Sequence, residues 1–230
     1  PRIVSGARKL DNISYEEMLE LASLGAKVLQ TRSVELARSY KIPLRVLSSF
    51  EEDISENIGT MVCQEKDIME NIKAVKGVAY SRDEAKLTLV SVADRPGVAA
   101  AIFVPLANAG VNVDMIVQNI SEEGRTDMTF SCPVDQVNRA KKALTGAMDA
   151  DLINYKELIA DTLVAKISIV GNGMRSHAGV AAQMFEVLAN EGVNIRVITT
   201  SEIKVSVLVD RKYMELAVRA LHDAFELENA

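Results

Sequence analysis

The chain has 230 residues, a formal net charge of −6 at pH 7, 48% hydrophobic residues and only 4% aromatic residues. Its length allows one to three domains with cores of their own, and no apolar run approaches the roughly 20 residues that cross a membrane as a helix. The acidic balance without a Lys/Arg cluster argues against a nucleic-acid surface. The two cysteines, Cys63 and Cys132, lack the spacing of a disulfide framework or a metal site. Since the sequence also shows no signal peptide, we expect a cytoplasmic protein.

The first 60 residues predict two helices and a strand. Ser14 and Glu17 have the spacing of a capping box, and the apolar residues that follow at helical period predict a helix to about Leu24. A second helix is expected over about 33–40, and residues 42–50 predict a turn and then a strand. These elements lack a sizeable core of their own, so they are typical of the end of a larger domain.

Residues 51–64 are rich in Glu, Asp, Ser and Asn, and they predict a solvent-facing loop or linker. Beyond it, residues 75–81 alternate small apolar and polar side chains as a strand does.

One stretch of the sequence occurs twice. Of the 16 residues from Gly97 to Asn112, 11 are identical to the residues 82 positions later. An internal repeat of this quality indicates two similar modules. Each copy lies between two apolar runs, which predicts the order strand, helix, strand, strand; the runs are 87–93 and 128–132 for the first copy and 163–170 and 204–209 for the second.

Counting elements predicts how the modules are connected. A helix over 135–148 and a strand around 152–157 complete a βαββαβ set for the first module. The second module gains a helix over about 212–225 and then the chain ends, so it is one strand short. Residues 75–81 belong to neither repeat, and we predict that they supply this strand and that the first module is inserted into the second. The alternative is a three-stranded second module with a loose segment at 75–81.

Six stretches together resemble aspartate kinases, four of them the paired ACT domains of that family and two the end of its kinase domain: 78–81 (VAYS), 94–97 (DRPG), 112–119 (NVDMIVQN), 198–203 (ITTSEI), 14–29 (SYEEMLELASLGAKVL) and 48–50 (SSF). The resemblance implies an α+β fold with two ferredoxin-like βαββαβ ACT domains, the first inserted into the second. A C-terminal piece of an α/β amino-acid-kinase domain would precede them. The expected division is residues 1–66 for the kinase fragment and linker, 84–158 for the first ACT domain, and 74–83 plus 159–230 for the second.

The resemblance is incomplete at the catalytic end. Aspartate kinases carry a Lys-Phe-Gly-Gly-Thr-Ser element that binds phosphates and aspartate, and this sequence has none. The chain alone should therefore be inactive, with no catalytic residue and no cofactor of its own, while the intact enzyme would use ATP and Mg. By resemblance to the family, only Arg2 and Lys27 match positions that contact the nucleotide. Taken without the resemblance, both residues are typical of solvated surface cations.

The repeated glycines suggest a binding function. Gly97 and Gly179 each lie where a strand is followed by a helix, so unpaired N–H groups and the positive end of the helix dipole converge there and suit a carboxylate. An amino acid would also need an acceptor for its ammonium, which Asp94 and Asp114 could supply. The alternative is that Asp94 and its neighbours only form turns.

The two copies have diverged at these places: Asp94 aligns with Ser176, Asp114 with Arg196 and Gln118 with Thr200. This divergence favours binding over a purely structural role. By resemblance to the family, lysine and threonine act as feedback inhibitors at interfaces between ACT domains. The implied contacts, with Asp94 added, are Gly97, Val98, Ala99, Asn112, Val113, Asp114, Gln118 and Asn119, and opposite them Asn194, Ile195, Ser201 and Glu202.

Other expectations concern metals and partners. The sequence indicates no ligand-like partners for the two histidines, His177 and His222, so no metal site is predicted. By resemblance to the family, whose ACT modules pair edge to edge, we expect a homodimer through the first module. The competing hypothesis is a stand-alone, non-catalytic regulatory subunit that binds an amino acid.

Overall fold

The computed structural model describes residues 3–26, 28–50, 59–68, 74–119, 124–175 and 177–229. Its N-terminal part contains β1 (Asn12–Ser14), α1 (Tyr15–Ser23), α2 (Thr31–Ser39), β2 (Leu44–Val46) and β3 (Thr60–Cys63). The remainder contains β4 (Gly77–Ala93), α3 (Val98–Asn108), β5 (Asp114–Gln118), β6 (Arg125–Pro133), α4 (Val137–Asp149), β7 (Glu157–Val170), α5 (Val180–Asn190), β8 (Ile195–Thr200), β9 (Lys204–Asp210) and α6 (Met214–Ala224). Among the described residues, no helix combines the length and the apolar character needed to cross a membrane.

The N-terminal part forms a small sheet in which β3 lies between β1 and β2. The predicted loop over 51–64 is therefore wrong for Thr60–Cys63, while residues 51–58 lie outside the described residues. A four-residue strand is too short to show an alternating pattern, and β3 is defined instead by its pairing with two neighbours. Val62, at its centre, is fully buried under the two helices.

The second sheet has six strands in the order β5-β6-β4-β7-β9-β8. Strands β4 and β7 are long and run through both modules. Residues 77–81 of β4 pair with 166–170 of β7, whereas 86–90 of β4 pair with 157–161 of β7. The stretch that fitted neither repeat is thus the fourth strand of the second module. The predicted pair of ferredoxin-like modules, with the first inserted into the second, is confirmed.

The strand expected around 152–157 is wrong, because β7 begins only at Glu157. Ile153 and Tyr155 alternate with polar residues and are buried, which imitates a strand in the sequence. They reach the core from an irregular segment instead. The Leu152 N–H closes the end of α4 on the Ala147 carbonyl at 3.0 Å, and the chain enters β7 only after that turn.

Each module buries one face of its sheet under its own helices. Leu87 and Leu89 of β4 face α3 and α4, while Ile167 and Ile169 of β7 face α5 and α6. The ladder between β4 and β7 is irregular between Ser81 and Lys86, where one module gives way to the other. The opposite faces of the sheet are folded towards each other, so that the two edge strands, β5 and β8, come into contact.

A small apolar cluster, which we call the inter-module cluster, fills the space between those opposite faces. Its members are Met115, Val164, Val197 and Leu208, with Val117 packed against it. Since Met115 lies on β5 and Val197 on β8, the cluster joins the edges of the two modules.

Candidate functional site

The turn before α3 is open at the place where a carboxylate was expected. Gly97 has φ 89° and caps α3, and no side chain of the described residues provides a cap there. Glycine adopts this left-handed backbone conformation more readily than other residues do. The Val98 N–H donates to the Arg95 carbonyl at 3.1 Å, and the first helical bond runs from the Ala101 N–H to the Gly97 carbonyl. The N–H groups between them, of Ala99 and Ala100, therefore have no partner within the helix.

The second module repeats this geometry. Gly179 has φ 98° and caps α5, again without a side-chain cap from the part of the chain that the structure describes. Among the described residues, no atom outside its immediate chain neighbours would lie within 4 Å of a Cβ at Gly179 or at Gly97. Both turns can therefore admit a ligand to the backbone N–H groups at the start of a helix.

Three of the predicted side chains gather beside the first turn. The Gln118 Nε2 donates to Asp94 Oδ1 at 3.4 Å, and Asn119 follows Gln118 at the end of β5. The Asn119 N–H donates to the Asp127 carbonyl at 3.2 Å, and Asn119 is exposed. Asp94, Gln118 and Asn119 thus lie at the same end of the sheet as Gly97.

The remaining first-module residues lie at the opposite end of β5. The Asn112 N–H donates to Gln136 Oε1 at 2.7 Å, Val113 packs on the module's core, and Asp114 begins the strand. Four residue steps separate Asp114 from Gln118, which corresponds to roughly 13 Å along a strand. The structure therefore does not bring Asp114 to Asp94 within one chain, and the two carboxylates cannot hold the same ammonium from one subunit.

Asp114 already has a cationic partner in its own chain. The Lys166 Nζ lies 2.9 Å from Asp114 Oδ2 and 2.9 Å from Glu84 Oε1, and the Met115 N–H donates to Asp114 Oδ1 at 2.8 Å. The Lys166 and Glu84 side chains are 8% and 9% exposed, while that of Asp114 is 54% exposed. One ammonium therefore faces two carboxylates, and the excess negative charge lies on the side open to solvent.

The charge states follow from these contacts. Burial would lower the pKa of the Lys166 ammonium, but the charge of Glu84 and the hydrogen bond from Lys166 to Asp114 outweigh it and raise that pKa. Burial would raise the pKa of the Asp114 carboxyl, but the hydrogen bond and charge of Lys166 outweigh it and hold that pKa below its ordinary value. Lys166 and Asp114 are therefore both charged near neutral pH.

Sequence reasoning missed Glu84 and Lys166, although a signal was present. They are 82 residues apart, so they occupy equivalent positions in the two repeats and carry opposite charges. Opposite charges at equivalent positions of the two copies are the signal that could have indicated a pair between the modules.

This network predicts a pH dependence of stability. Asp114 has a folded pKa below its ordinary value of 3.8, so its contribution is fully present above pH 3.8 and is lost as the pH falls through the lower, folded value. We therefore expect wild type to be more stable than Asp114→Asn at pH 6 and the difference to shrink below pH 3.8. Urea unfolding of both proteins at several pH values measures it, and a difference that grows on acidification would contradict the assignment.

In the second module the predicted residues also divide between two ends of a strand. Asn194 and Ile195 lie at the start of β8, whereas Ser201 and Glu202 form the turn after it, where the Ser201 N–H donates to the Lys204 carbonyl at 2.8 Å. Arg196, at the position equivalent to Asp114, donates to Asp210 Oδ1 at 3.0 Å. The two copies thus differ in charge at equivalent places, and β8 faces β5 across the inter-module cluster.

The second module is also in contact with the N-terminal part. Glu17 of α1 accepts from the Ser14 N–H at 3.1 Å and from the Asn172 N–H at 2.9 Å, and the Asn172 Nδ2 donates to Ser14 Oγ at 3.0 Å. The predicted capping box is confirmed, and the same carboxylate binds the loop after β7. Lys204, beside the Ser201 turn, pairs with Glu20 at 2.9 Å.

We expect Glu17→Ala to lower the free energy of unfolding by about 1–3 kcal/mol, because it leaves the buried N–H donors of Ser14 and Asn172 without an acceptor. The neighbouring Glu16→Ala is the matched control. Glu16 makes a partly exposed pair with Arg38 at 3.2 Å, and such pairs contribute less than about 1 kcal/mol. Equal losses in urea unfolding of the two variants would contradict a joining role for Glu17.

Arg2 and Lys27, the predicted nucleotide contacts, lie outside the described residues.

Comparison with known protein families accounts for this arrangement. Residues 86–146 and 167–225 match the ACT domain family, and residues 1–48 match the amino acid kinase family. The solved regulatory subunit of aspartate kinase from Thermus thermophilus is 41% identical, with a TM-score of 0.62, and the match covers 66% of this chain and 99% of that one. The chain belongs to the aspartate kinase family. The predicted kinase fragment ahead of the two ACT modules is thereby confirmed as well.

The chain also matches part of longer relatives. The aspartokinase of Pseudomonas aeruginosa is 54% identical over 99% of this chain, which corresponds to 54% of that protein. The chain spans about half the length of the curated relatives it matches. The solved aspartokinase III of E. coli, in complex with lysine and aspartate, is 27% identical with a TM-score of 0.74, and the match covers 98% of this chain and 48% of that one.

Proposed function

We propose that the chain is the feedback sensor of a cytoplasmic aspartate kinase. It binds lysine, threonine or both through its ACT modules, and the whole enzyme transfers the γ-phosphoryl group of ATP, with Mg, to L-aspartate to form 4-phospho-L-aspartate. Within this proposal residues 1–66 are the kinase end and linker, 84–158 the first ACT domain, and 74–83 plus 159–230 the second. Arg2 and Lys27 contact nucleotide only in the intact enzyme.

The observation that carries the proposal is the pair of complementary half-sites on the first module. The Gly97 turn offers N–H groups without a partner in the helix to a carboxylate, and the Asp114 network offers a half-exposed carboxylate to an ammonium. A free amino acid carries both groups. A lysine side chain adds a second ammonium, for which Asp94 is available.

The two half-sites lie at opposite ends of β5, and a second copy of the chain can unite them. A two-fold axis that pairs β5 with β5 of its partner in antiparallel fashion places the start of one strand beside the end of the other. Each site would then take Asp114 from one subunit and the Gly97 turn with Asp94 from the other. β5 is an edge strand and its Ile116 is 52% exposed, so pairing would also cover apolar surface.

Coupling to the catalytic part would run through α1. The loop after β7 carries both Asn172, which contacts Glu17, and the Gly179 turn. Lys204, which begins β9 directly after the turn that follows β8, contacts Glu20. An amino acid that binds better to one arrangement of these turns shifts the population towards that arrangement, and α1 moves with it. That differential affinity is the source of inhibition in the whole enzyme.

Titration calorimetry of the chain with L-lysine, L-threonine and both together tests the proposal. We expect saturable heat with one of them, lost in Asp114→Ala and retained in Asp149→Ala, which removes an exposed aspartate at the end of α4. No heat with any addition, or equal binding by the two variants, would refute the sensor at this site.

A second candidate is a stand-alone, non-catalytic regulatory subunit, which the likeness to the Thermus thermophilus regulatory subunit favours. Both candidates predict effector binding. Expression with the coding sequence upstream of Pro1 separates them, because only the first predicts aspartate kinase activity that lysine or threonine inhibits. The contacts of Glu17 and Glu20 favour the first candidate.

A further inference from the structure

The end of α6 brings together three side chains that can bind a metal ion. One ligand atom from each of His222, Asp223 and Glu228 lies within 4.8 Å of the others. The chain reverses at Glu226, which has φ 51°, and this reversal returns Glu228 to the helix end. The sequence predicted no metal here because His222 and Glu228 are separated by the end of a helix, and that turn could not be foreseen.

The histidine gives independent support for a ligand. His222 is 7% exposed, and its Nδ1 has no hydrogen-bond partner among the described residues. The nearest carboxylate oxygen, Asp223 Oδ1, is 3.7 Å away, which is too long for a hydrogen bond. Proteins rarely bury a ring nitrogen without a partner, and an ion between the nitrogen and the carboxylates would provide one.

We propose that His222, Asp223 and Glu228 bind a divalent transition metal ion of the Zn²⁺ class. An imidazole nitrogen with two carboxylates suits Zn²⁺, whereas Mg²⁺ and Ca²⁺ prefer oxygen ligands alone. Ligands about 2.0–2.1 Å from a tetrahedral Zn²⁺ are about 3.3–3.4 Å from one another, so the pair of His222 and Asp223 is almost in place. Glu228 is exposed and closes the remaining distance by rotating its side chain.

The site would fasten the C-terminal turn to the rest of the molecule. Leu227 is buried in the core of the second module, and Val4 from the N-terminal segment is buried in the same core. The Glu228 carboxylate lies directly over Gly6, where a Cβ would collide with it. An ion bound at Glu228 therefore holds together α6, the C-terminal turn and the segment that leads to the kinase part, and it stabilises the folded chain by mass action.

The test uses the full chain without an affinity tag, first treated with a chelator and then titrated with ZnCl₂ by calorimetry and by thermal unfolding. We expect one Zn²⁺ per chain and a higher Tm, with no such effect of MgCl₂ or CaCl₂. Asp223→Asn and Glu228→Gln should each weaken Zn²⁺ binding about tenfold or more. The matched controls are Glu191→Gln, an exposed carboxylate of the same module, and His177→Gln, which removes the other histidine; both should bind as wild type does.

Cobalt provides a readout that does not depend on stability. Co²⁺ in a tetrahedral site with nitrogen and oxygen ligands gives visible absorption bands, which we expect in wild type and His177→Gln but not in Glu228→Gln. The proposal is overturned if Zn²⁺ binds equally to wild type, Asp223→Asn and Glu228→Gln, if His177→Gln abolishes binding, or if no Zn²⁺ binds at millimolar concentration. The Asp223 side chain is 70% exposed and Glu228 is exposed, so these variants fold even if His222→Gln does not.

Discussion

Replacing Lys166 by methionine will lower the free energy of unfolding by about 3–5 kcal/mol, the usual cost of removing one partner from a buried ion pair. The reason is the Glu84 carboxylate, which is 9% exposed and has the Lys166 ammonium at 2.9 Å. Without that ammonium a buried negative charge remains at the junction of the two modules, beside the half-exposed Asp114. Urea unfolding followed by circular dichroism measures the loss.

Two further variants separate the charge from the packing. Asp114→Asn should cost less than Lys166→Met, because the Asp114 side chain is 54% exposed and water replaces its partner. The double variant Glu84→Leu with Lys166→Met should recover most of the loss, since apolar residues of similar volume often replace a buried pair without cost. A loss below about 1 kcal/mol for Lys166→Met would show that water reaches Glu84 and that the pair is effectively a surface pair.

The elements that could be predicted from the sequence are those defined by local interactions or by counting. The capping box of Ser14 and Glu17 depends on residues three apart, so it was visible before the fold was known. The insertion of one module into the other followed from the number of strands in each copy, because an edge without its fourth strand has only one candidate, residues 75–81. The family resemblance pointed to the same topology.

Features that depend on distant partners were not predictable in the same way. Strand β3 exists because β1 and β2 flank it, and residues 152–156 are irregular because the end of α4 directs them into the core. The contact between Lys166 and Asp114 requires the sheet to fold so that β5 approaches β7 and β8. The predicted carboxylates, Asp94 and Asp114, were assigned to one site from their positions in the repeat, but the length of β5 separates them.

This separation leads to the second large effect, which concerns effector binding across a dimer. If each site takes Asp94 from one subunit and Asp114 from the other, Asp94→Ala and Asp114→Ala should each weaken effector binding about 10-fold to 100-fold, the value of a hydrogen bond to a charged group. Both side chains are exposed, and Glu84 remains paired with Lys166 in the second variant, so neither change should unfold the chain.

Mixing the two variants then distinguishes a shared site from a site within one chain. When equal amounts exchange subunits, half of the dimers contain one copy of each variant. In such a dimer one site carries both substitutions, and the other site has Asp94 and Asp114 intact. We therefore expect calorimetry to recover about one quarter of the wild-type number of sites, at wild-type affinity. If Asp94 and Asp114 served a site within a single subunit, every site in the mixture would carry one substitution and no tight binding would return. Recovery thus requires both that the chains pair and that the pairing places the start of one β5 beside the end of the other.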